Sequence, residues 1–125
     1  MQTVSPNIFV KDINETIEFY SQLGFEVIDG VPSLENPIFV LMMNGTVTFM
    51  FQTFDSLGDE LPNVSRKDGG SLLLYIKMKG IHQFYENIKK KIEIYRELEK
   101  TFYNAVEFSI IDNNNYLITF SEHED

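Results

Sequence analysis

The chain has 125 residues, enough for one domain with one core and too few for a catalytic domain joined to a regulatory one. Its 43% hydrophobic content, with 11 Phe and 6 Tyr, excludes a disordered tail, and a net charge of −9 argues against a nucleic-acid backbone or an anionic membrane as partner. The absence of Cys removes disulfides, thiolate nucleophiles, iron–sulfur clusters and thiolate zinc sites.

The longest apolar run, Ile38 to Met43, has six residues, far below the ~20 needed to span a bilayer. The start MQTVSPNIFVKD has no basic segment followed by an apolar one, so a soluble, cytoplasmic protein is expected.

Asn7 to Val10 is a short β-prone run that stops at Lys11-Asp12, with Asn14 available as a helix N-cap. Ile13, Thr16, Ile17, Tyr20 and Leu23 then recur at helical spacing up to Gly24, which predicts a helix over 14–23. Three strands are expected next: Phe25 to Ile28, Ile38 to Met43 and Thr46 to Phe54. Turn signals at Asp29-Gly30, Pro37 and Asn44-Gly45 separate them. Asn44-Gly45 is the strongest hairpin signal, since both residues tolerate the positive φ of a type I′ turn. Residues 55–70 are polar, hold three of the seven Gly, lack periodicity and read as a linker.

After the linker, Ser71 to Met78 reads as a strand. Ile81, Phe84, Tyr85, Ile88 and Ile92 mark an amphipathic helix with Lys89, Lys90 and Lys91 in its last turns. The charged stretch 93–100 fits either a helix extension or an exposed strand, with strand favoured from Arg96 to Phe102. Ala105 to Ile111 is a strand, Asp112 to Asn115 a turn, and Tyr116 to Ser121 the closing strand. Each half therefore reads β-α-β-β-β, and the Phe-Tyr pair at 19–20 recurs at 84–85 in the same place on its helix.

The residues Phe9-Val10-Lys11-Asp12, Phe19-Tyr20 and Leu23-Gly24-Phe25-Glu26-Val27 carry a family resemblance in the first half. Leu74-Tyr75-Ile76-Lys77-Met78, Ile81 to Ile88, and Glu107-Phe108-Ser109-Ile110-Ile111-Asp112 carry it in the second. In these the chain resembles the vicinal oxygen chelate superfamily of glyoxalases, bleomycin-resistance proteins, extradiol dioxygenases and fosfomycin-resistance enzymes. The resemblance implies an α+β fold of two tandem βαβββ modules, forming a curved mixed sheet with a concave cleft and helices on the outer face. Module one would cover 1–54, the linker 55–70 and module two 71–125. One departure is the turn after Asp112, where Asn113-Asn114-Asn115 replaces the family's usual Pro-Asp-Gly-Asn.

Enzymes of that family generally place three or four His, Glu or Gln metal ligands on the concave face. Carried over by counting, those positions fall at Ser5, Met50, Leu73 and Thr119, which are not a competent donor set for a divalent ion. His82 lies on the second helix and His123 in the terminal tail, and both are expected to be solvated. No metal or other cofactor and no catalytic residue is expected, Glu107 being the one acid placed for proton transfer.

Strand alternation then puts Asn7, Phe9, Thr48, Met50 and Gln52 on the cleft face of module one, and Leu73, Tyr75, Glu107 and Thr119 on that of module two, with Tyr103 nearby. These ten residues are the expected ligand-binding set. The opposite face is apolar, with Ile8, Val10, Phe49, Phe51, Leu72, Leu74, Ile76, Phe108, Ile110, Ile118 and Phe120 set to pack on the helices. The reading is a metal-free binding protein for a small organic molecule, neutral or cationic, and a homodimer. The alternatives are a metal-dependent lyase or dioxygenase of the same family and a non-catalytic protein-interaction domain.

Overall fold

The computed structural model describes residues 1–124. The chain divides between Asp68 and Gly69 into two compact units. Unit one contains β1 (Asn7–Val10), α1 (Ile13–Gln22), β2 (Glu26–Val31), β3 (Phe39–Asn44), β4 (Val47–Thr53) and α2 (Phe54–Leu57). Unit two contains β5 (Leu73–Lys77), α3 (Ile81–Ile88), β6 (Ile94–Lys100), β7 (Ala105–Ile111) and β8 (Leu117–His123).

Each unit has one four-stranded mixed sheet, and the two orders correspond: β1-β4-β3-β2 and β5-β8-β7-β6. The first strand of each unit lies parallel to the last, and the remaining neighbours are antiparallel. A parallel partner cannot be reached through a tight turn, and the helix after β1 and after β5 opens the crossover that makes it possible. The α+β arrangement of tandem βαβββ modules expected from the sequence is therefore present.

In unit one the core forms where the sheet meets α1. Tyr20, without solvent exposure, lies edge-on to Phe25 and Phe49 with its centroid 4.7 Å from that of Phe51. In unit two Phe84 and Tyr85 of α3 pack on Phe108, and Phe84 also on Phe120. The expected apolar faces are buried accordingly, with two differences: Leu72 precedes β5 and is exposed, and Ile76 is half-buried. The matching Phe-Tyr pairs are not buried alike. Tyr20 is enclosed while Tyr85 is only half-covered.

Several boundaries differ from expectation. Asp12, not Asn14, caps α1, because its carboxylate accepts from Glu15 N at 3.0 Å while its own backbone stays extended. Asp29-Gly30 is not a turn. The pair continues β2 opposite Leu41 and Val40 across an irregularity in register between Val27 and Asp29. Asn44 pairs with Val47, so the hairpin turn is Gly45-Thr46, with Gly45 at φ +60° and the Asn44 amide donating to Leu23 O. α3 ends at Ile88, leaving Lys89 as C-cap and Lys90 and Lys91 beyond it. Residues 94–100 are strand throughout.

The stretch read as a linker is held by side chains. Thr53 caps the short α2 through Ser56 N, and the Arg66 guanidinium donates to the carbonyls of Gly58, Glu60, Leu61 and Val64. One cation therefore satisfies four carbonyls that no strand or helix engages.

Candidate functional site

In unit two, β8 runs between β5 and β7, and period-2 alternation sends Thr119, Ser121 and His123 to the face opposite α3. Tyr75 from β5 is the register partner of Thr119, and Glu107 from β7 is the partner of Ser121. These side chains meet. Tyr75 donates its phenolic proton to Glu107 Oε2, Ser121 Oγ donates to the same oxygen at 2.9 Å, and Tyr103 donates to Oε1 at 2.7 Å. His123 Nε2 lies 2.9 Å from the Tyr75 oxygen.

The Tyr75 oxygen also lies 2.9 Å from Ser121 Oγ, and a phenol has one proton, which goes to the ionised Glu107 as the stronger acceptor. With that proton on Glu107, the His123 contact forms in the tautomer that carries Nε2–H. Deeper on the same face, Ser109 and Thr119 close a buried hydroxyl pair at 2.8 Å.

The electrostatics follow from these bonds. Partial burial pushes the Glu107 carboxyl up, but hydrogen bonds from Tyr75, Tyr103 and Ser121 and the neighbouring His123 outweigh it, and the acid sits below its ordinary range. The bond to Glu107 pushes the Tyr103 phenol up to about 12. Burial, then the bond to Glu107, also raises the Tyr75 phenol. Glu107 is thus held ionised and both phenols protonated.

The cluster borders a recess of about 220 Å³ lined among others by Leu73, Tyr75, Tyr103, Glu107 and Thr119. All five ligand-binding residues expected in this half are therefore brought together. The Tyr75 and Tyr103 side chains remain 44% and 46% exposed, so their rings are open to a ligand.

Unit one carries a quieter face. Asn7 Nδ2 donates to Gln52 Oε1 at 3.1 Å, Gln52 Nε2 to Ser56 Oγ at 2.9 Å, and Thr48 shares a 2.8 Å hydroxyl bond with Ser5. Met50 is the register partner of Asn7 and Phe9 of Gln52, while Phe9 also approaches Phe54 with centroids 6.5 Å apart. Four of the five residues expected here thus neighbour one another in pairs, and Thr48 of β4 bonds Ser5, which precedes β1. No charge is present among them.

His123 belongs to this cluster, contrary to its expected place. It ends β8, half-buried, where a solvated tail was expected. The alternation Thr119, Ser121, His123 was the available signal. Ser121, Glu99 and Arg96 also belong to this neighbourhood and were not singled out as site residues.

The positions carried over as metal ligands do not fit a divalent ion. Met50 and Leu73 offer no suitable donor, and the Ser5 and Thr119 hydroxyls are each spent on another hydroxyl. Among the described residues no three His, Asp or Glu side chains come together as a metal-holding group. No helix among them is long and apolar enough to cross a membrane.

The family model of the Glyoxalase/Bleomycin resistance protein/Dioxygenase superfamily matches residues 2–120. Among curated proteins none matches the chain. A crystal structure of a protein of unknown function from Agrobacterium tumefaciens is 25% identical, with a TM-score of 0.79 over 99% of this chain and 95% of that one. A bleomycin-binding protein crystallised with bleomycin is 16% identical, with a TM-score of 0.69 over 99% and 100% of the two chains. A glyoxalase/bleomycin resistance protein/dioxygenase family enzyme from Burkholderia phytofirmans is 21% identical, with a TM-score of 0.76 over 96% and 97%. The latter two likenesses are of fold.

Proposed function

The chain belongs to the Glyoxalase/Bleomycin resistance protein/Dioxygenase superfamily, and we propose that within it the protein binds a small organic molecule, neutral or cationic, without a metal ion. The observation that carries this reading is the half-buried Glu107, held ionised by three hydroxyl donors at the edge of a recess whose walls include two open tyrosine rings. Aromatic rings set beside polar groups held in fixed positions are what orients a ligand in a binding site. The fold shared with a protein crystallised on bleomycin supports the same reading.

Catalysis through a divalent ion is not proposed, because the donor set at the carried-over positions is wrong for it. We propose further that a second copy of the chain covers exposed apolar side chains of unit two outside the recess, among them Tyr95, Ile111 and the 99% exposed Phe102. Sedimentation of the purified protein is expected to give a dimer.

A melting screen against aromatic compounds of each charge type tests the binding reading. Neutral and cationic compounds are expected to raise the melting temperature and anionic ones to leave it unchanged. Shifts with divalent metals, and none with organic compounds, would contradict it.

A further inference from the structure

An ionised carboxylate has about four acceptor positions, two on each oxygen. On Glu107, Oε2 is filled by the hydroxyls of Tyr75 and Ser121, whereas Oε1 receives only Tyr103. One acceptor position is left, on Oε1, in a residue that lines the recess.

Strand register adds a second acid at this point. Glu99 of β6 is the antiparallel partner of Glu107 and lines the same recess. Like charges directly opposite in an antiparallel pair are destabilising. The cation of the lining, Arg96, sits across from Ser109 instead, and the ion pairs among the described residues engage none of Arg96, Glu99 or Glu107. The recess therefore holds two carboxylates against one guanidinium, with the acid pair at the Glu107 end. Tyr75 and Tyr103 beside it supply ring faces, which attract cations.

Resting on the binding reading of this same recess, we propose that its ligands are amines, received through one ammonium N–H on Oε1 of Glu107, and that guanidinium and amidinium groups, which spread their charge over several nitrogens and can reach Oε1 only end-on, are held less tightly. A planar fork needs an open position on each carboxylate oxygen. Oε2 has none. A neutral group could use the single position but would leave the repulsion between Glu99 and Glu107 in place, and an anion would add to it.

Calorimetric titration of the intact protein near neutral pH, at low ionic strength, separates these cases with four probes that share a phenyl ring: benzylamine, benzamidine, benzyl alcohol and benzoate. Benzylamine is expected to bind at least about tenfold more tightly than benzyl alcohol or benzoate, the size of one charge-assisted hydrogen bond, and more tightly than benzamidine. Glu107→Gln should erase that preference. Should Glu107→Gln not fold, the order of the four probes on the native chain decides alone. Benzyl alcohol or benzamidine equal to benzylamine on the native chain would overturn the ammonium assignment and leave the binding reading standing. No measurable binding of any probe at millimolar concentration would overturn the assignment, and only a blank in the wider melting screen as well would remove the binding reading.

Discussion

Glu107 takes three hydroxyl hydrogen bonds, and the sign of its effect on stability follows from them. Its carboxyl is more acidic in the fold than the ordinary 4.5, so its contribution is present above that value and is lost as pH falls through the folded one. Melting curves of the native chain and of Glu107→Gln are expected to differ most near neutral pH and to converge below about pH 4.5. Tyr103 has the opposite sign. Raised from 10.0 to about 12, its contribution is complete below 10.0 and lost as pH rises through about 12. In Glu107→Gln the charge that holds this proton, and that also raises the Tyr75 phenol, is gone, so phenolate absorbance should show two tyrosines titrating earlier. An unchanged alkaline titration would mean that Tyr103 and Glu107 are not bonded in solution.

Among the elements, α1 depends on a single cap. Asp12→Ala removes the acceptor for Glu15 N and is expected to cost about 1 kcal/mol in denaturant unfolding. The segment 58–66 is gathered by one guanidinium beside two backbone turns, Glu60 N to Leu57 O and Val64 N to Leu61 O. Arg66→Ala frees the carbonyls of Gly58, Glu60 and Val64 and leaves Leu61 O with Val64 N alone, and chymotrypsin should then cut at Leu61 faster than in the native chain. Gly69 has φ +72°, and a Cβ there would stand 2.6 Å from Asn115 O, so Gly69→Ala should lower the melting temperature through both strain and displacement of the Asp112–Asn115 turn. These features also mark what sequence could and could not reveal. Period-2 and period-3.6 patterns made β1, β7 and the two main helices readable, and the apolar faces with them. Asp29-Gly30 was misread because local turn chemistry yielded to pairing with β3, and His123 because two polar residues hid the continuation of β8. Arg66 left no periodic signal at all, since its partners are backbone carbonyls.

For the molecule as a whole, the net charge of −9 is a poor guide to the ligand, because the recess itself holds only Glu99, Glu107 and Arg96 among its charged walls. What counts is the arrangement of those three. The residues of the Glu107 cluster come from three strands and the segment after β6, far apart in sequence, so their meeting was legible only through the family resemblance that supplied strand order. The most direct test is an amide-resolved nuclear magnetic resonance titration of the native protein with benzylamine. Saturable shifts concentrated at Tyr75, Glu99, Tyr103, Glu107 and Ser121 are expected. Shifts centred on other residues, or none up to millimolar amine, would contradict the assignment of this recess as the ligand site.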